Sequence, residues 1–313
     1  MTAYIVRRLF ATIPVMVVVA VFVFFLLRIA PGDPAAIIAG EDATAEAIEA
    51  VRAKLGLDRP VLEQFVLWTW GLLQGDFGVS IFSNLPVTRL MAQRMEPTIA
   101  LTLSTLLVAV GLAIPTGVIA AWKARRWPDR VVMVFAVMGF AVPGFLIAYV
   151  LIWIFAVKLG WLPVQGYRPI AEGFWPFVEG LILPSLALGV TYMALIARIT
   201  RASMLDVLSQ DYIRTANSKG LATTRVLLLH ALKNAAVPIV TVIGIGIALL
   251  ISGVVITETV FNIPGLGRLT VDAVLKRDYP IVQGLIIVFA GAKVLVNLAI
   301  DISYAFLDPR IRY

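Results

Sequence analysis

The 313-residue chain has no cysteine and a single histidine, His230. The first absence removes disulfides, thiolate metal sites and cysteine nucleophiles, and the second removes any histidine cluster. The motifs H-E-x-x-H and C-x-x-C are thereby excluded, and G-x-S-x-G has no match. No Gly-Lys pair occurs, so the loop G-x-x-x-x-G-K-[ST] is missing and the chain has no cradle of that kind for ATP. Charge is also scarce, with 14% of residues being Asp, Glu, Lys or Arg, against roughly 25% in a soluble domain. These gaps leave no catalytic residue, no cofactor site and no metal site to propose.

What fills the chain instead is apolar surface. Hydrophobic residues make up 60% of it and the mean hydropathy is +0.94, more than a water-soluble core of this size buries. Crossing about 30 Å of hydrocarbon takes roughly 20 apolar residues. Runs of that kind lie at 9–29, 97–121, 131–157, 181–199, 236–257 and 281–304, which predicts an all-α integral membrane protein of about six transmembrane helices. Pro115 and Pro143-Gly144 fall inside the second and third runs and predict kinks rather than ends. The first run follows Arg7 and Arg8, but it is too long for a signal-peptide core and has no small-residue cleavage pattern, so it reads as a retained helix.

The net charge of +7 reflects topology and not nucleic acid, because cytoplasmic loops collect Lys and Arg. One set of segments, the N-terminus, 122–130, 198–235 and the tail, holds fourteen Lys and Arg; the alternate set, 30–96, 158–180 and 258–280, holds ten over much longer stretches. The first set therefore reads as cytoplasmic, with both termini inside. In the outer segment 31–96, Thr44 is placed to cap a helix carrying Ile48, Val51 and Leu55 on one face and ending at Gly56, and Leu62, Phe65, Val66, Trp70 and Leu73 follow Pro60. It reads as a folded cap on the membrane or as a docking surface for an external partner.

Four ionisable groups fall in or at the ends of the runs: Arg28, Glu258, Lys293 and Asp301. Intramembrane charges mark paths or interfaces by default. Arg28 and Glu258 sit near outer ends, where snorkelling to the interface explains them. Lys293 and Asp301 are eight residues apart and share a helix face, which meets another helix or water. Neither a midplane carboxylate nor a repeated hydropathy pattern suggests a gradient-driven carrier.

The most informative segment runs from Asp211 to Pro238 and reads as helix, turn, helix. Asp206, Ser209 or Asp211 is positioned to cap the first helix, Gly220 supplies the turn, and Thr223 or Thr224 is positioned to cap the second. A short helix projecting from a membrane in this way suits a groove on another protein. The stretch resembles the inner-membrane permeases of binding-protein-dependent ABC importers, in the dipeptide and oligopeptide branch. That branch reads Asp-Tyr-x-Arg-Thr-Ala-x-x-Lys-Gly-Leu, then His-Ala-x-x-Asn and Pro; Asp211, Tyr212, Arg214, Thr215, Ala216, Lys219, Gly220, Leu221, His230, Ala231, Asn234 and Pro238 match it. The broader motif of the whole family fits only at Ala216, Gly220 and Leu232. Further matches are Arg7-Arg8, Pro31-Gly32-Asp33-Pro34, Leu55-Gly56-Leu57-Asp58 with Pro60, Gly75-Asp76-Phe77-Gly78, Glu258 with Phe261 and Pro264-Gly265-Leu266-Gly267, and Asp308-Pro309-Arg310.

The resemblance implies the type I ABC importer permease architecture, divided as a first helix and outer segment (1–96), a core transmembrane domain (97–306) with a coupling loop at about 200–235, and a short tail (307–313). It implies a bacterial inner-membrane location and these partners: a second homologous permease, two cytoplasmic ATPases, an outer substrate-binding protein and a peptide substrate, in membrane lipid and with no nucleic acid. Asp211, Tyr212, Arg214, Thr215, Ala216, Lys219, Gly220 and Leu221 are its expected ATPase-coupling residues. Permeases of this kind for nickel complexes, glutathione, opines or sugars are the near alternatives; a carrier or channel acting alone is the distant one.

Overall fold

The computed structural model describes residues 2–29, 33–40, 43–54 and 56–307. Pro31-Gly32, Leu55 and Asp308-Pro309-Arg310 of the motifs above lie outside them. In chain order the helices are α1 (Thr2–Ile29), α2 (Pro34–Ala39), α3 (Ala45–Lys54), α4 (Val61–Leu73), α5 (Val87–Trp122), α6 (Trp127–Ala141) and α7 (Gly144–Leu151), continued by a π-helical stretch Ile152–Lys158. They continue as α8 (Phe174–Leu208), α9 (Asp211–Ser218), α10 (Thr223–Arg225) with the π-helical Val226–Leu232, α11 (Ala236–Val260), α12 (Leu266–Leu275) and α13 (Tyr279–Leu307). Among the described residues there is no strand, only an isolated bridge between Val79 and Pro86.

Four stretches are long and apolar enough to cross a membrane, Arg7–Phe25, Val87–Trp122, Phe174–Leu208 and Tyr279–Ser303, and two bent helix pairs bring the number to six if each pair crosses once. That matches the count of apolar runs. Two expectations change in detail. The second and fourth crossings are helices of 36 and 35 residues, longer than their apolar runs, because backbone hydrogen bonding continues past the first charged side chain. The third crossing does not kink but breaks, its halves meeting at 108°. Val142, restricted by the proline after it, is extended at φ −92°, ψ 126° and ends α6, whereas α5 runs unbroken through Pro115.

Two compact units interleave along the chain, one of residues 1–5, 96–268 and 295–313, the other of 6–95 and 269–294. In the first, α8 is the central helix, packed by α6, α7 and α11. Its buried residues thread three clusters in turn. Leu181, Leu183, Ala187, Leu188 and Tyr192 meet Leu101, Ala148, Ile152, Leu250 and Phe261; Ile196 and Ala197 meet Ala113 and Val242; Met204 meets Val118, Ala121 and Ile239. The many alanines let helix backbones approach closely, which is how helices associate where lipid removes the hydrophobic drive between them.

In the second unit Thr44 caps α3 as expected, its Oγ1 accepting from Ala47 N at 3.3 Å. Asp33 caps α2 through Ala35 N and binds Arg52 of α3. Phe65 and Trp68 of α4 pack on Phe24 of α1, while Leu62, Val66, Trp70 and Leu73 stay exposed. The predicted apolar stripe on α4 is thus split, since Phe65 faces protein and Leu62, Val66, Trp70 and Leu73 face outward. The Gly75–Gly78 motif is a turn in which Asp76 Oδ1 accepts from Gly78 N at 2.8 Å. The buried Asp278 accepts from Ser80 Oγ at 2.5 Å and from Ile81 N.

Candidate functional site

The Asp211–Leu221 segment is built on α9 (Asp211–Ser218). Ile213 and Ala216, three residues apart, are buried in the cluster formed with Met204 of α8, Val118 and Ala121 of α5, Val226, Leu227 and Ala231, and Ile239 of α11. Truncating a fully buried Ile costs about 2–5 kcal/mol, so these two contacts hold the helix in place. Its other side is open: Asp211, Tyr212, Arg214, Thr215, Lys219 and Gly220 are exposed, while Leu221 is half-buried against the same cluster. Arg214 Nη1 lies 3.4 Å from Asp211 Oδ1, but their side chains are 77% and 95% exposed, and pairs of that kind contribute under about 1 kcal/mol. Packing decides where α9 sits, and its charges remain available.

The helix ends in a Schellman motif. Gly220 N donates to Asn217 O at 2.9 Å and Leu221 N to Ala216 O at 3.4 Å, which requires the left-handed φ of +75° found at Gly220. Leu221 then turns back onto the apolar cluster, supplying the hydrophobic contact that accompanies the motif. The expected N-caps do not form. Gln210 precedes α9 and no side chain caps it; Asp211 is already helical, and Ser209 is used at the end of α8, its Oγ donating to Asp206 O. Ala222, not Thr223 or Thr224, precedes α10. Only two residues separate α8 from α9, and one of them is committed to the preceding helix.

A feature that sequence reading missed lies beside this cluster. Asp129, in the first turn of α6, is 6% exposed and receives Arg201 of α8 through Nε and Nη2, the second contact at 2.7 Å, with Arg125 N donating to Oδ2 at 2.8 Å. The two-pronged guanidinium contact fixes orientation as well as distance. It ties the α5–α6 turn to the end of α8 on which α9 rests. Both residues sit in basic stretches 72 apart in sequence, and nothing local marks them as partners.

At the other end of α11, Glu258 is fully buried. Thr98 Oγ1 donates to its Oε1 at 2.5 Å, Arg268 N donates to its Oε2 at 2.9 Å, and Leu266 N in turn donates to Thr98 Oγ1 at 2.8 Å. This corrects the snorkelling expectation, because the carboxylate turns inward and is held by Thr98 Oγ1 and Arg268 N against the Pro264–Gly267 turn. Beside that turn Glu96 accepts from Tyr167 Oη and Ile170 N, both at 3.0 Å. Burial, and then the Glu96 carboxylate, push the Tyr167 hydroxyl above its ordinary pKa, so it remains a donor. Lys293 is exposed and Asp301 half-buried on α13; the side chain of Arg28 lies outside the described residues.

Comparison with known proteins gives concordant results. The model of the binding-protein-dependent transport system inner membrane component matches residues 113–313, and that of the N-terminal part of such membrane components matches 1–102. Over the full length of both chains, the protein is 52% identical to a probable peptide ABC transporter permease (y4tP) of Sinorhizobium fredii and 45% identical to the glutathione transport system permease protein GsiC of Escherichia coli. A chain of the MetNI methionine ABC transporter, solved in inward-facing conformations, shares the fold with a TM-score of 0.59 at 15% identity, over 70% of this chain and 96% of that one.

Proposed function

This chain belongs to the family of inner membrane components of binding-protein-dependent transport systems, and from that premise we propose that it is one permease half of an ATP-driven importer of small peptides. It is the membrane-embedded permease component of an ABC importer, with the type I permease fold. The observation that carries the mechanistic reading is α9, a short helix anchored by Ile213 and Ala216 with every charged side chain exposed. Asp211, Tyr212, Arg214, Thr215 and Lys219 form the face offered to a groove on a cytoplasmic ATPase, and Ala216, Gly220 and Leu221 hold that face in position. When the ATPases close on ATP, a displaced α9 carries α5, α8 and α11 with it through their shared cluster, and Arg201–Asp129 passes the movement to α6.

In this reading a second, homologous permease completes the path, two ATPases provide hydrolysis that a chain without a phosphate loop does not, and an outer binding protein delivers substrate. Peptide is favoured by the name of the 52% identical relative. Glutathione, itself a tripeptide, is the second reading, favoured by the 45% identical one. The setting is a bacterial inner membrane with both termini in the cytoplasm.

Reconstitution tests the division of labour. Uptake of tri-alanine into vesicles is expected only with the second permease, ATPases, binding protein and ATP present, and the purified chain alone is expected to show no saturable ATP binding by calorimetry. Gradient-driven uptake by this chain alone would make it a secondary carrier. For orientation, an impermeant thiol reagent applied to intact cells is expected to label Thr44→Cys and to spare Ser218→Cys until the membrane is opened. The opposite pattern inverts the topology.

A further inference from the structure

Arg198 carries a charge within one of the long apolar helices. It lies within α8 with its side chain exposed, and among the described residues its one recorded partner is the Phe140 ring, 5.7 Å from the guanidinium carbon. The two residues border a groove of about 370 Å³ between α6 and α8, whose other walls are Met133, Ala136, Val137 and Ala141. Every wall is apolar, and Arg198 supplies the charge.

Depth follows from the ladder of contacts between the two helices. Asp129 meets Arg201 at one end, directly after the basic turn Lys123–Arg126 that marks a membrane surface. At 1.5 Å per residue the groove spans about 6 to 18 Å along α6 beyond Asp129, inside a hydrocarbon layer about 30 Å thick. Its far end is the break at Val142, where the crossing turns by 108°. Gly139 packs on Val190 and Ala194, so Phe140 is level with a deeper part of α8 than Arg198 itself. The side chain therefore reaches inward, the reverse of snorkelling to the near surface.

Arg198 itself lies one turn, about 4.5 Å, beyond Arg201 on α8, and an arginine turned inward from there is costly against lipid and persists where it faces a water-filled route or an anion. The geometry points to Arg198 as an anion-binding residue of the translocation path, its groove receiving the terminal carboxylate of the peptide. The inference rests on the importer reading above and adds the chemistry by which the path recognises its cargo. Carboxylate is the anion that all free peptides share, and the guanidinium fork matches it in two-pronged fashion while Phe140 covers one of its faces. The volume lies within the roughly 300–1,000 Å³ of small-molecule sites. Apolar walls around a single charge discriminate little between side chains, which suits a carrier of varied peptides. The broken helix beside the groove is a further feature of transporter sites at membrane depth.

The test uses the assembled importer, with partners made cysteine-free, and two probes, tri-alanine and tri-alanine amide, with uptake normalised to occupancy of the binding protein. Arg198→Gln is expected to lower the carboxylate-to-amide uptake ratio by about ten-fold or more, the worth of one charged hydrogen-bonded contact, and Arg198→Lys to retain most of it. An unchanged ratio overturns the proposal. A second measurement does not depend on transport. Val137→Cys, the single thiol in a chain that has none, is expected to react with a hydrophilic reagent and to be protected by tri-alanine but not by its amide. Reaction only with a lipid-soluble reagent places the groove against lipid and overturns the proposal. Protection of Val137→Cys by tri-alanine in a complex that imports no peptide would sustain the anion site and refute the peptide-importer reading.

Discussion

Gly220→Val is expected to leave the chain in the membrane at near-normal abundance and to cut ATP-driven uptake ten-fold or more. Nothing lies within 4 Å of where a Cβ would sit on Gly220, so the effect is conformational and not steric. Holding a β-branched residue at φ +75° costs about 1–3 kcal/mol. The burial of Ile213, worth about 2–5 kcal/mol if truncated, is of that size or larger and is joined by that of Ala216, so α9 stays folded on its cluster. The strain is relieved instead at the turn, where Gly220 N–Asn217 O and Leu221 N–Ala216 O give way and the exposed face tilts. Gly220→Asn is the control, because Asn tolerates left-handed backbone and already occupies it here at Asn84 and Asn262. It is expected to keep at least about half of wild-type uptake, given the small cost of that conformation for Asn. If the valine variant transports normally at matched protein level, α9 is not the lever; if the asparagine variant fails equally, the left-handed turn is not the cause.

Glu258→Ala is expected to reduce the thermal stability of the purified chain and to lower its membrane level several-fold. The change removes the acceptor of two part-buried donors, Thr98 Oγ1 and Arg268 N, at up to about 1–3 kcal/mol each, and losses of that size change cellular abundance several-fold. Gly265→Ala is expected to act in the same direction, because a Cβ there would overlap the Glu258 carboxylate. The informative variant is the double replacement. With the carboxylate gone, the new methyl enters vacant space, so Glu258→Ala with Gly265→Ala should be less damaging than the sum of the singles by at least about 1 kcal/mol. Additive losses in melting experiments would show that the turn is not held by this contact.

Much of the molecule was legible in the sequence because the relevant physics is local. A hydrocarbon slab demands about 20 apolar residues per crossing, and six such runs are written plainly in the chain. Thr44 caps α3 and Gly220 turns α9 because caps and left-handed turns depend on a residue and its near neighbours. The missing phosphate loop is a statement about residue order and needs no coordinates. The Asp211–Leu221 match likewise is a statement about residue order, and it carries the family resemblance.

Tertiary structure decided the rest, wherever the outcome depends on partners distant in sequence. Glu258 looked like an interfacial charge until Thr98, 160 residues away, and the backbone of the following turn satisfied it in the interior. Asp129 and Arg201 looked like members of two basic loops until packing of α6 on α8 brought them together. The Asp211–Leu221 motif named eight residues without dividing them, and the burial of Ala216 beside Ile213 separates those that anchor α9 from those that remain exposed. Periodicity and composition determine which segments are helices and which of them enter a bilayer. Which faces of those helices meet, and so which polar groups lose water and must find partners, is fixed only when the helices pack.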